Sequence, residues 1–246
     1  MKTLGIFGDS FAAPSGLRDS PCWFDYLRDQ YNIVNFAKTG SSIYYSYTKF
    51  LENYKNLDRI IFVVTAAERI WLKNLPNQRY SHITGSAYLT ETLNSNSGKD
   101  LITVENLQAA RQFYMYLSDD RLHDFKALAM LKNIKKNRED TLLITGISNS
   151  TEIQEFIGHE HSLTSISALE LKVMSDINHW SQFNKYLDTR NCHLTDENNK
   201  ILGYQVLKWL DTNTVNINLD EFEIPLHRKH FQKTYLIKKD KGLLIW

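Results

Sequence analysis

Thr3-Leu4-Gly5-Ile6-Phe7-Gly8-Asp9-Ser10 decides how the chain is read. The run Thr3–Phe7 passes without a charged residue into Gly-Asp-Ser, the pattern of a short buried strand closing into a turn. Ser20-Pro21 then supplies a cap and a proline at a first helical position, followed by the apolar stripe Trp23, Phe24, Tyr26 and Leu27. Asn32–Ala37 is a second short strand, ended by Lys38-Thr39-Gly40-Ser41-Ser42. Tyr44, Tyr47, Phe50, Leu51 and Tyr54 follow at helical spacing. Arg59–Thr65 is a continuous, β-branched run of the kind found in a central strand covered on both faces. Strand, helix, strand, helix, strand within 65 residues implies right-handed crossovers and a mainly parallel sheet in an α/β fold.

After residue 65 the rhythm loosens. An excursion at about 70–103 is rich in Asn, Ser, Thr and Tyr and has no clear period. Segments of that kind are commonly lids or binding loops, and an insertion packed on a neighbour explains this one equally well. Val104–Asn137 carries apolar positions for one long or broken helix, and Thr141–Ile147 is a fourth strand. Residues 150–187 are ambiguous, with a helix expected near 168–187. Leu194–Leu210 is a clearer helix, with Ile201, Leu202, Val206, Leu207 and Leu210 on one face. The expected organisation is one domain over 1–211 and a C-terminal arm over 212–246. The apolar end of that arm, Gly242–Trp246, packs back on the domain or docks on a protein partner or a second copy.

Composition narrows the function classes. With 29 Lys+Arg against 28 Asp+Glu the net charge is +1, so no global field draws polyanions and nucleic-acid binding is not expected. Two cysteines, Cys22 and Cys192, are too few for a disulfide framework. No window approaches 18 consecutive apolar residues, so no membrane span is expected. The first residues lack a signal-peptide core and cleavage pattern, so the chain is expected to be used where it is made, in the cytoplasm, or to be exported by a route that needs no leader.

Gly8-Asp9-Ser10 stands where an open parallel sheet binds its ligands, outside the carboxyl ends of the strands. Most Asp-Ser pairs in such places only make a turn. Order along the chain adds weight here. The second strand also ends in a glycine turn at Gly40, the third in Thr65-Ala66-Ala67-Glu68-Arg69, and His193 directly precedes the clearest C-terminal helix. A parallel sheet is the scaffold that can bring a serine and a histidine from opposite ends of a chain together.

These blocks resemble the SGNH/GDSL hydrolase superfamily, over nearly the whole chain to about residue 210. Gly8-Asp9-Ser10 matches the first block, whose serine is the nucleophile, and Ala37–Ser42 the second, whose glycine donates an oxyanion-hole amide. Thr65–Arg69 lies where the third block, Gly-x-Asn-Asp, is expected, and His193 matches the catalytic base. The variant with Val-Thr-x-x-x-Arg after strand three and His-Leu-Thr-x-x-Asn near the end looks like the divergent hydrolase-like proteins of tailed phages. The resemblance implies a three-layer α/β/α, flavodoxin-like domain without metal or cofactor. It also implies ester hydrolysis through an acyl-enzyme, on a small ester or on O-acetyl groups of a carbohydrate. Ser10 would be the nucleophile, His193 the base, Asp188 its orienting acid, and the amides of Ser10 and Gly40 the oxyanion hole. Asp9 is expected to fix the turn. With Thr65, Arg69 and Arg190 it forms the set of further substrate or oxyanion contacts, and Asn35 is another stand-in donor.

Two departures stand out. Ala67 occupies the position of the third-block Asn, and Arg190 stands where the family places Asp three residues before the histidine. They raise an alternative, a catalytically degenerate structural or glycan-binding component of a phage particle. Outside these blocks, His159-Glu160-His161 and His227-x-x-His230 are metal-site fragments without a partner set. The basic runs Lys132–Arg138 and Lys238-Lys239-Asp240-Lys241 read as solvated surface at element ends.

Overall fold

Among the described residues four strands, β1 (Lys2–Phe7), β2 (Tyr31–Asn35), β3 (Arg59–Val64) and β4 (Leu142–Thr145), form one all-parallel sheet in the order β2-β1-β3-β4. The computed structural model describes residues 1–14, 21–69, 109, 112–113, 116–147, 150–158, 161–166 and 194–222. In β1, Gly5 pairs with Val34 on one side and Ile60 on the other. The chain therefore leaves β1 toward one edge to make β2, then returns across it to make β3. That reversal places the topological switch point at the carboxyl end of β1, above Gly8-Asp9-Ser10.

The continuous apolar strands follow from burial on both faces. Leu4, Ile6, Ile61, Val63, Leu142 and Ile144 share one buried cluster with Trp23, Phe24, Leu27, Leu202 and Val206. The alternate residues Phe7, Ile60, Phe62, Val64 and Leu143 belong to a second, with Ile43, Phe50, Leu131, Ile134 and Ile153. A side-chain period of two sends neighbours to opposite faces, so both sets must be apolar.

Among the described residues four α-helices accompany the sheet: α1 (Ile43–Asn53), α2 (Asp120–Asn137), α3 (Thr151–Ile157) and α4 (Asp196–Thr212). Ser42, Asp119, Ser150 and Thr195 cap them, each side chain accepting a first-turn amide. Asp119 explains where α2 starts within the expected Val104–Asn137 span: its carboxylate takes the N–H groups of Arg121 and Leu122. Just before it, Leu117 and Ser118 both donate to Phe113 O, closing the preceding turn.

Local propensity missed two features. The helix after Pro21 is a short 3-10 turn, Trp23–Leu27, capped at Cys22 rather than Ser20, with the Cys22 N–H donating to Asp25 Oδ2 at 2.9 Å. Its geometry is set by α4: Trp23 N–H donates to Asn199 Oδ1, and a Cβ on Gly203 would lie 2.6 Å from Trp23 O. Second, α1 turns its face by a fraction of a turn from the expected stripe. Ile43, Tyr45, Ser46 and Phe50 are buried, while Tyr44 and Leu51 are exposed.

Part of the basic run at 132–138 is structural. Arg138 donates to the carbonyls of Tyr54, Leu57 and Asp58 and forks onto both oxygens of Asp140. It thereby ties the end of α2 to the entry of β3. The expected boundary at 211/212 falls within the last turn of α4, and beyond it Ile217 and Phe222 are buried in the first cluster. The excursion at about 70–103, the helix expected near 168–187, His159-Glu160, His227-x-x-His230 and the arm beyond residue 222 lie outside the described residues.

Candidate functional site

The turn after β1 is built for close approach. Gly8 has φ 150°, and a Cβ there would meet Val63 Cβ at 2.8 Å and Val63 O at 3.0 Å, so β3 packs directly on the backbone. Asp9 then closes the turn twice. Its carbonyl accepts Ala12 N–H and Ala13 N–H at 3.1 and 2.9 Å, and its Oδ1 accepts Phe11 N–H at 3.0 Å. Ser10, held between these contacts, is 8% exposed.

Asp9 is also the hub of a buried ionic network. Its Oδ2 accepts from the Thr65 hydroxyl and from Arg69 Nη1, both at 2.7 Å. The Asp9 side chain is fully buried and that of Arg69 13% exposed. A carboxylate so enclosed requires a compensating charge and hydrogen bonds on its lone pairs, and here it has both. Arg69 Nη1 also reaches Ser41 O at 3.2 Å. Thr65 and Arg69 are four residues apart in the segment leaving β3, so β3 delivers both groups to the end of β1.

The loop after β2 joins the same edge. Lys38 N–H and Ser41 Oγ both donate to Gly8 O, at 3.1 and 3.0 Å. Between them Gly40 is buried with φ 73°, the left-handed region that glycine adopts without steric cost. Burial and the nearby Lys49 ammonium push the Lys38 amine below its ordinary value. Asn35 is used at both ends of its amide: Nδ2 donates to Ala12 O, and Oδ1 accepts Ala37 N–H, each at 2.8 Å.

Of the residues singled out by sequence, Asp9, Thr65 and Arg69 thus meet directly, and Ser10 and Gly40 are next in sequence to members of that contact network. His193, Asp188 and Arg190 lie outside the described residues. The chain is described again from Leu194, which is buried, with Thr195 capping α4 through Asn198 N–H. The start of α4 is tied to the serine turn by a relay through Trp23. Its N–H reaches Asn199, and its indole Nε1 donates to Phe11 O at 2.7 Å.

A second polar group was not foreseen. Ser118 Oγ and His123 Nε2 are 2.9 Å apart, and His123 is buried. His123 lines a cavity of about 240 Å³ with Glu68, Asp120 and Asp124. Glu68 adjoins Arg69, so this cavity opens beside the segment leaving β3. Ser118-Asp119-Asp120 before an apolar run is a helix-start signature, and it would have placed His123 on the first turn. Among the described residues, no group of three or more His, Cys, Asp or Glu side chains could hold a metal ion. No described helix is long and apolar enough to cross a membrane.

Compared with models of known protein families and with curated proteins, the chain matches none. Fold and site therefore define the class at the level of an α/β protein with an all-parallel sheet, carrying Asp9, Ser10 and Arg69 at its switch point.

Proposed function

We propose that this chain is a serine esterase of the SGNH type, built as a three-layer α/β/α domain, with Ser10 as nucleophile and His193 as base. The observation that carries this reading is the locked turn after β1. Ser10 directly follows Asp9, the hub of the network at the sheet's switch point, and the loop carrying the left-handed Gly40 is bonded to Gly8 through Ser41. In the proposed reaction His193 takes the proton of Ser10 Oγ as the oxygen bonds to the ester carbonyl carbon. The amides of Ser10 and Gly40 hold the oxyanion that develops, and the alcohol leaves with the proton returned by His193. Water, deprotonated by His193, then releases the acid and regenerates Ser10. Asp188 or a backbone carbonyl would orient the imidazole. A small ester or the O-acetyl group of a carbohydrate suits this reading, and cytoplasmic or virion-associated placement goes with it.

One observation favours the second reading, a catalytically idle SGNH-fold component of a phage particle. Ala67 offers no side-chain donor, and the side chains of Asn35 and Thr65 are already engaged with Ala12, Ala37 and Asp9. Turnover of p-nitrophenyl acetate decides between them. The esterase reading expects turnover that Ser10→Ala abolishes. Equal rates for the two proteins would leave the idle reading standing.

A further inference from the structure

We infer that Arg69 is a catalytic residue that replaces the missing third-block donor, hydrogen-bonding the oxyanion through guanidinium N–H groups while Asp9 cancels its charge. This rests on the esterase reading of Ser10. Three side chains at this edge could stand in for the Asn that Ala67 displaces, and their hydrogen bonds separate them. Asn35 has one amide N–H on Ala12 O and its oxygen on Ala37 N–H, which leaves it a single N–H to offer. Thr65 has one hydroxyl proton, and it goes to Asp9. Arg69 carries five N–H donors in a fixed fork, and Nη1 alone makes the contacts to Asp9 and Ser41. Its Nε is buried and has no partner among the described residues.

A buried donor with no acceptor is rare in a folded chain and is costly to keep. An acceptor that arrives with the substrate accounts for it. The position fits: Nη1 grips the carbonyl of Ser41, the residue after Gly40, so the guanidinium is fixed to the loop that carries the proposed amide donor. The ion pair with Asp9 at 2.7 Å makes the fork a nearly neutral donor. Such a group does little for a neutral ester in its ground state and gains strength as charge develops on the oxygen, which is the differential binding that catalysis needs. The pair also disfavours use of Arg69 as a general trap for anions, since its charge is already met.

The test compares wild type with Asp9→Asn/Arg69→Met in the full chain, so that neither protein holds an unpaired buried charge at this site. Melting temperature, Ser10-dependent turnover of p-nitrophenyl acetate and labelling by a serine-directed phosphonate are read for both. The inference expects similar melting temperatures, a kcat about 100- to 1,000-fold lower in the double variant, and KM changed only a few-fold. A merely structural ion pair would move the melting temperature of Arg69→Met alone and leave this kcat ratio near one, which overturns the inference. If the double variant does not fold, Arg69→Lys in the wild-type background keeps the cation and loses the fork. A kcat equal to wild type there also overturns it. If wild type itself shows no Ser10-dependent turnover or labelling, the esterase reading falls and takes this inference with it. Active wild type with an unaffected double variant removes Arg69 alone.

Discussion

Thr65→Val probes the network around Asp9 with almost no change of shape. The substitution replaces a hydroxyl by a methyl at a position 1% exposed, and removes the 2.7 Å hydrogen bond to Asp9 Oδ2. Asp9 is completely buried, so water cannot take the place of that donor, and Arg69 Nη1 and Phe11 N–H are left to hold the carboxylate. A hydrogen bond to a charged group contributes about 1.5–3 kcal/mol, which sets the expected loss. For a chain of this size each kcal/mol moves the midpoint of melting by about 2–4 °C, giving a fall of roughly 3–12 °C. Urea unfolding should show a lower midpoint with an unchanged slope. The sharper readout is a double-mutant cycle with Asp9→Asn. Against a neutral amide the same substitution should cost only about 0.5–1.5 kcal/mol, so the two changes should be non-additive. A cost below about 0.5 kcal/mol in the wild-type background, or strict additivity with Asp9→Asn, would refute the view that Thr65 supports a buried charge.

Other perturbations test other joints of the fold. Gly203→Ala gains about 0.8–1 kcal/mol of helix propensity, yet its Cβ would sit 2.6 Å from Trp23 O and 2.8 Å from Tyr26 Cβ, so a net loss of about 1–2 kcal/mol is expected by urea unfolding. Arg138→Met strips the carbonyls of Tyr54, Leu57 and Asp58 of their donor and should cost about 1.5–3 kcal/mol in the same assay. The Arg138 fork also holds the Asp140 carboxyl below its ordinary range. With the folded value below the unfolded one, that share of stability is present above the ordinary aspartate range and is lost as pH falls through the folded value. Wild type should therefore lose stability on acidification more steeply than Asp140→Asn, and identical pH profiles would contradict the pairing.

The sheet was legible because its strands are extreme. Arg59–Val64 is apolar at every position after the first and Leu142–Thr145 at every position before the last, and only a strand covered on both faces tolerates that. The position of Ser10 followed from the same pattern, since a strand that ends in Gly-Asp-Ser at the switch point leaves little choice. The role of Asp9 was only half visible. Its turn was readable from Gly-Asp-Ser, but its pairing with Thr65 and Arg69 depends on β3 lying beside β1, a contact across 56 and 60 residues that no local signal encodes. The 3-10 turn at Trp23–Leu27 was missed for a similar reason: its geometry is imposed by Asn199 and Gly203, about 176 residues away in the case of the Trp23–Asn199 bond. Ser118 and His123 fell unremarked inside the expected Val104–Asn137 helix, and their pairing depends on Asp119 fixing the first turn of α2.

The central claim is that Ser10 is an activated nucleophile, and covalent labelling tests it most directly. The intact protein is treated with a serine-directed phosphonate, digested, and the adduct located by mass spectrometry, with Ser10→Ala as the control. The account predicts one adduct, on the peptide carrying Gly8-Asp9-Ser10, and none in Ser10→Ala. No adduct on wild type, or an adduct on Ser118 beside His123 that persists in Ser10→Ala, would contradict it.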